Sequence, residues 1–290
     1  MTDQVELMLP LYEAKMIHHY DHRWATYERD GSIRDVTLEE KQDPDFVVLP
    51  RYWVRESVVK DRLNGRWDRD WLLGWRDICR STDERTMIAS IVGAGASPEG
   101  GTLLALPERS VVAPTVLAVW DSFAFDFAAR QKVGGTHVKY FTVRQLPVPH
   151  PDTFSKPCPW EPTGSSGSWL TRRVVFLLAD SDDMTPLTDE FGARIGSGGW
   201  GVHRHLIRAE IDAAIFHLFG IARDDVDYIM DTFPIVKRKD EAAYGEYRTK
   251  RLILDVYDQM AEAIASGTTY ASPFDAPIDG KQGVGLVVTD

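Results

Sequence analysis

The stretch LAVWDSFAFDFAARQ (117–131) places Leu117, Trp120, Phe123, Phe127 and Ala128 close to helical spacing, and Gly134-Gly135 beyond it is a helix stop. HVKYFTV (137–143) then alternates. Val138, Tyr140 and Thr142 stand against His137, Lys139, Phe141 and Val143, until LPVPHP breaks the run. A helix, a glycine turn and a strand in direct succession predict a mixed α+β fold. Upstream, DFVVLPRYWV (45–54) and TMIASIV (86–92) read as further short strands. Downstream the pattern turns helical. In LIRAEIDAAIFHLFG (206–220), Leu206, Ile207, Ile211, Ala214, Ile215 and Leu218 make one apolar face, closed by Gly220. In TKRLILDVYDQMAEAI (249–264), Leu252, Ile253, Val256, Met260 and Ile264 make another, and the two faces are expected to pack on each other.

Between these halves, PDTFSKPCPWEPTGSSGS (151–168) is rich in Pro, Gly and Ser and poor in periodic apolar residues. The resulting division is an α+β domain at 1–150, a linker at 151–166, a helical region at 167–265 and an extended tail at 266–290. A chain of 290 residues accommodates one large domain or two modest ones.

With 33 basic and 44 acidic residues the formal net charge is −11, which argues against a protein that coats nucleic acid electrostatically. The charge is unevenly placed, however. From Phe127 to Pro151 there is no acidic residue, while Arg130, Lys132, Lys139 and Arg144 fall inside the window. A second basic cluster runs from Lys237 to Arg251. No apolar run approaches the roughly 20 residues of a membrane helix, and MTDQVELMLP is unlike a signal peptide. Cys79 and Cys158 are too few for a disulfide framework. The chain is expected to be soluble and cytoplasmic, with no membrane partner.

Motifs of common catalysts are poorly matched. In VGAGASPEGG (92–101), Gly93 and Gly95 would call for a third glycine where Pro98 stands, so a strand-connecting turn is the better reading. HHYDHR (18–23) puts His18 and His22 at a zinc-like interval if helical, but lacks the HExxH glutamate and an evident third ligand; no metal site is expected. Glu39 and Lys41 in LEEK (38–41), with Asp35 nearby, form only a loose counterpart of the acidic pair and lysine of metal-dependent nucleases. The segment reads as a charged loop. GxSxG, a P-loop and any Pro-Pro dipeptide are absent from the sequence.

Several blocks in order carry a resemblance. They are LPLYEAKMIHHYDHRWATYE (9–28), LPRYWV (49–54), RDICRSTDERTMIASI (76–91), DSFAFDFAARQKVGGTHVKYFTVRQLPVP (121–149), RAEIDAAIFHLFGI (208–221) and DYIMDTFPIVKRKDEAAYGEYRTKRLILDVYD (227–258). Together they resemble the C-terminal half of large adenine-N6 DNA methyltransferases of restriction–modification and phage-defence systems, the type IIG-like group. The helix, Gly-Gly, strand and LPVP succession is similar to target-recognition domains of type I specificity subunits. The resemblance implies a DNA target-recognition module whose partners are double-stranded DNA and a methyltransferase catalytic domain or subunit. S-adenosylmethionine would belong to that catalytic part, and no cofactor to these residues. The chain departs from the family in its glycine-rich 93–101 turn and in 178–200.

The candidate DNA-binding residues are Arg80, Arg85, Arg130, Lys132, Gly134, Gly135, Lys139 and Arg144. Arg and Lys serve phosphates and base edges, and glycine lets backbone approach a phosphate. No catalytic residue is assigned. Two alternatives belong to other classes: a protein-interaction or regulatory subunit, the acidic charge permitting a DNA mimic, and a hydrolase using the His18/His22 or Glu39/Lys41 sets. The missing cofactor and adenine loops predict that calorimetric titration of this chain with S-adenosylmethionine gives no binding, and that the chain alone transfers no methyl label to duplex DNA; either signal would place the catalytic machinery inside these residues.

Overall fold

The structure, a computed structural model, describes residues 6–96, 101–195 and 203–272. Its architecture is α+β, as the periodicities require. The central sheet is antiparallel, with Trp71–Arg76 flanked by Ala89–Gly93 and Thr102–Ala105. Trp71, Leu72, Leu73 and Trp75 are all buried, so helices and loops cover both faces of this strand. Gly74 is required there. A Cβ would stand 2.7 Å from the Thr102 methyl and 3.0 Å from the Leu103 carbonyl. Two-stranded pieces pair Met8–Pro10 with Trp53–Arg55, and Ala25–Tyr27 with Ile33–Asp35.

Helices dominate the remainder. The Ala113–Trp120 helix packs against Ser166–Leu178 and contacts the sheet, and the Arg204–Leu218 helix lies along Arg248–Ser266. That last pair is the one the apolar faces predict. Ile207, Ile211, Ile215, Ile253, Val256 and Met260 are buried, and Leu218 and Leu252 are half-buried at its margin. Each fully buried side chain of this kind contributes about 1.5–3 kcal/mol. Apolar side chains from Tyr12 to Tyr270 join one cluster, so the core is shared between the 1–150 and 167–265 parts.

Several local expectations are corrected. The helix expected over 117–131 is two helices, Ala113–Trp120 and Phe123–Lys132, meeting at 71°. Ser122 causes the break by capping the second, its Oγ accepting the Phe125 N–H at 3.2 Å. The strand expected at 137–143 is a single bridge between His137 and Ile78 followed by the short helix Tyr140–Val143. Alternation over so few residues does not separate strand from turn. In 45–54 only Trp53 and Val54 join a strand. The expected linker, 151–166, holds a helix (Pro151–Ser155) and a hairpin of Pro157–Cys158 with Glu161–Ser165, anchored by fully buried Trp160. The charged loop at 38–41 is the helix Leu38–Gln42, started by a Thr37–Glu40 capping box. The glycine turn lies between strands, but 97–100 is outside the described residues, as is 273–290 of the expected tail. Among the described residues no single helix is long and apolar enough to cross a membrane.

HHYDHR is a tight turn rather than a helix. His18 N–H donates to the Asp21 carbonyl at 2.7 Å and Asp21 N–H returns to His18 at 3.0 Å, which forces buried Tyr20 to a φ of 53°. A non-glycine residue there stores about 1–3 kcal/mol of strain. The surroundings hold it. Tyr20 N–H donates to Asp121 at 3.1 Å, and Lys41 Nζ meets Asp21 at 2.5 Å in a buried ion pair. Arg23, fully buried, donates to the carbonyls of Lys41 (2.8 Å), Asp43 (2.8 Å), Phe46 (3.1 Å) and Asp180 (2.9 Å), with the Asp180 carboxylate 3.6 Å away. Arg23→Ala strands those carbonyls without a donor. Urea unfolding should register a loss of about 3–5 kcal/mol, and a variant that unfolds at the parental midpoint would show that Arg23 does not hold these segments together.

Candidate functional site

Two regions gather the functional candidates. The first is an exposed basic edge. Cys79 N–H donates to the Thr136 carbonyl at 3.0 Å and Val138 N–H to the Asp77 carbonyl at 2.8 Å, so the loop after the central strand is stitched to the acid-free window. This places Arg80 beside the Gly134-Gly135 turn. Arg80, Lys132, Gly134, Gly135 and Arg144 are exposed. A Cβ at either glycine would meet nothing within 4 Å, so the backbone is open to an approaching group. Lys139 is half-exposed and donates to the buried Asp77 carboxylate at 2.6 Å, with His137 3.2 Å from the same oxygen. Phe141 is 68% exposed and Tyr140 46%, which adds aromatic surface to the edge.

The other two expected DNA contacts lie inside the fold. Arg85 is 4% exposed, with Nε 2.5 Å from Asp126, a second donor on the Asp121 carbonyl at 2.5 Å, and its plane over Phe123. Arg130 donates to the carbonyls of Asp83 (2.6 Å) and Glu84 (2.7 Å) and lies 4.1 Å from the centre of the Phe233 ring. Both guanidiniums are spent on backbone carbonyls within the fold. Neither faces solvent as a phosphate contact does.

The second region is a cavity of about 220 Å³. Its walls come from the His18-His19 turn, the Glu84-Arg85 loop, the start of the Phe123–Lys132 helix, and the Arg204–Leu218, Pro234–Tyr244 and Arg248–Ser266 helices. It brings together motifs that are far apart in sequence. His18 and His19 meet Lys239 and Arg248 of the second basic cluster, with Arg208 and Asp212 one helical turn apart on their helix. Two other cations of the cluster are engaged away from the cavity: Lys250 pairs with Asp227 and Asp231, each at 2.9 Å, and Arg251 with Glu246 at 2.9 Å.

The electrostatics of this cavity are perturbed by burial. His18 and His19 are held neutral, their pKa values lowered by desolvation and then by nearby Arg76, Arg85 and Arg208. His19 Nε2 sits 2.9 Å from the Met87 carbonyl and His18 Nδ1 is 3.1 Å from His19 Nδ1. Beneath them, desolvation drives Asp121 well above the ordinary carboxyl range, although the Ala89 and Tyr20 N–H groups and Arg85 pull it back. Asp212 is pushed up to about 6 by burial, with its Oδ1 accepting the Phe123 N–H at 2.8 Å. Displaced carboxyls and neutral histidines around a cleft mark a functional-site candidate.

The metal and nuclease sets come apart. His22 points away from His18, 2.9 Å from Ser181 Oγ and 3.2 Å from Asp183. Lys41 is buried whereas Glu39 is exposed, so the E-x-K pair faces opposite ways. Among the described residues no group of His, Cys, Asp and Glu is placed to hold a metal ion. Arg208 and Asp212 were hidden in the sequence by the apolar face that carries them; their only signal was polar residues at i and i+4 within it. Comparison with protein-family models, curated proteins and solved structures finds no match to this chain.

Asp212 gives a pH signature. Its folded pKa of about 6 exceeds its ordinary 3.8, so the folded chain holds the proton more tightly than the unfolded one. Stability therefore falls as pH rises between those values. Asp212→Asn keeps an acceptor for Phe123 and removes the titration. The variant should gain on the parent between about pH 4 and 6, by on the order of 2–3 kcal/mol, in chemical unfolding at a series of pH values; parallel profiles would mean that Asp212 titrates normally.

Proposed function

We propose that this chain is a DNA target-recognition module acting with an adenine-N6 methyltransferase domain or subunit, and that duplex DNA lies along the basic edge. The observation that carries the reading is the edge itself. Lys132 and Arg144 present exposed cations in a stretch free of acids from Phe127 to Pro151, which includes the open Gly134-Gly135 backbone, and exposed Arg80 joins them from the loop stitched to that stretch. The order of the sequence blocks that resemble such methyltransferases supports it further.

The division of labour has a physical rationale. A methyltransferase takes its adenine out of the stack into a pocket, which commits the catalytic surface to one nucleotide. Sequence is then read by another surface, where cations on phosphates fix the register and a few side chains reach base edges. S-adenosylmethionine would be bound by the catalytic part. A net charge of −11 keeps non-specific affinity low, so discrimination rests on the local edge and on the field of the partner.

A second reading, a subunit that docks a protein without reading DNA, has its own observation. Val47 (56%), Leu49 (46%), Tyr52 (55%) and Trp53 (49%) are exposed close together in the sequence. Exposed apolar surface of this kind is characteristic of interaction sites.

Lys132→Ala combined with Arg144→Ala separates the readings. Fluorescence anisotropy across a salt series should show weaker binding to every duplex, with the log–log salt slope reduced by about 0.9 for each phosphate that the variant no longer neutralises. Unchanged affinity and slope would remove the edge from the DNA interface and favour the docking subunit.

A further inference from the structure

We propose that the cavity beside the His18-His19 turn is an anion pocket that takes the phosphate group of a phosphate ester, with Arg208 as its principal ligand. The geometry begins with charge pairing. Lys239 pairs with Glu84 at the rim, Asp240 accepts the Thr249 N–H at 2.6 Å, and Asp212 accepts the Phe123 N–H at 2.8 Å. Arg85 is bound to Asp126, outside the cavity lining. Arg208 and Arg248 make no ion pair with a carboxylate within 4.0 Å among the described residues. Arg208 lines the cavity, half-buried, and among the described residues it makes no hydrogen bond and no ion pair within 4.0 Å. Arg248 donates to His205, a neutral partner, and lies over the Tyr244 ring.

Arg208 therefore lies half-buried on a partly open cleft, with Asp212 one helical turn away but no carboxylate within 4.0 Å among the described residues, and its guanidinium donors are left for an anion to take up. Guanidinium presents paired N–H donors at the spacing of two phosphate oxygens, which an ammonium does not. Lys239 and Arg248, from two further helices, approach the same space from other sides. Burial first, and nearby Arg76, Arg85 and Arg208 second, keep both histidines of the turn neutral, so the donors for an anion are the arginines and Lys239. A volume of about 220 Å³ admits a phosphate with part of the group that carries it.

This pocket does not depend on the basic edge, since none of Arg80, Lys132, Lys139 or Arg144 lines it. The phosphate has two chemical sources, a free nucleotide or the backbone of a nucleic-acid strand.

The test uses inorganic phosphate, adenosine monophosphate and a short DNA duplex as probes, with binding read by calorimetry and phosphorus NMR on the parent, Arg208→Gln, Arg248→Gln and the Lys132→Ala/Arg144→Ala double variant. The parent should bind inorganic phosphate or adenosine monophosphate, and Arg208→Gln should weaken that binding at least tenfold while melting like the parent. Arg248→Gln, which leaves the Arg208 site intact, should weaken it less and guards against a folding defect in the first variant. The double variant should bind both small probes as the parent does, whatever happens to its duplex affinity. Tighter Arg208-dependent binding of adenosine monophosphate than of phosphate would assign the pocket to a nucleotide; Arg208-dependent binding of the duplex alone would assign it to a strand phosphate. Probe binding that is indifferent to Arg208→Gln, or no binding of any of the three probes by the parent, overturns the pocket.

Discussion

The buried guanidinium of Arg23 is the constraint on which the N-terminal half depends. It satisfies carbonyls from the Leu38–Gln42 helix, from the loop that follows and from Asp180 at the end of the Ser166–Leu178 helix. Those segments lack regular strand or helix partners at these points, so their backbone acceptors need a donor from elsewhere. One planar side chain with several fixed donors meets that need better than separate hydroxyls or amides could. Arg204 repeats the device from the other side, bonding the carbonyls of Leu177 and Tyr20. The irregular N-terminal segments are thereby fixed to the helical part, and the two share one core.

Carboxylates play the complementary role for unpaired N–H groups. Asp121 receives Ala89 and Tyr20, and Asp126 receives Thr86 and Met87 while neutralising Arg85. The break between the Ala113–Trp120 and Phe123–Lys132 helices is what allows both acids to reach these donors. The strained Tyr20 conformation and the raised proton affinity of Asp121 are the energetic costs of this arrangement. They are concentrated next to the His18-His19 turn, which lines the cavity.

The two candidate regions differ in kind. The basic edge is open, built from a loop and a short helix, and suited to sliding contacts with an extended polyanion. The cavity is a partly open cleft, built by four helices, a loop and a turn, and suited to one compact anionic group. A chain with a net charge of −11 achieves positive potential only in such local settings, where its acids are already engaged by backbone donors or by other cations.

How much of this was legible in the sequence follows from the range of the forces involved. The Arg204–Leu218 and Arg248–Ser266 helices and their contact were readable because apolar periodicity is local and strong over many residues. The α+β class and the acid-free window were readable for the same reason. The strand expected at 137–143 failed because a short alternation yields to tertiary bonds, here Val138 to Asp77 and Cys79 to Thr136. The linker expected at 151–166 failed because burial of Trp160 outweighs a composition of Pro, Gly and Ser. Among the candidate cations, Arg85 and Arg130 look no different in sequence from Lys132 and Arg144. Only the fold decides that the first pair is spent on Asp126 and on backbone carbonyls while the second stays in solvent. The same holds for Arg208: it follows an apolar face whose periodicity reads as core, and its place on a cavity arises from residues nearly two hundred positions upstream. The sequence by itself determines which segments want to be helical and which face they must bury. Which charges remain unneutralised is settled by long-range packing, because ion pairs form between whatever side chains the core brings within reach.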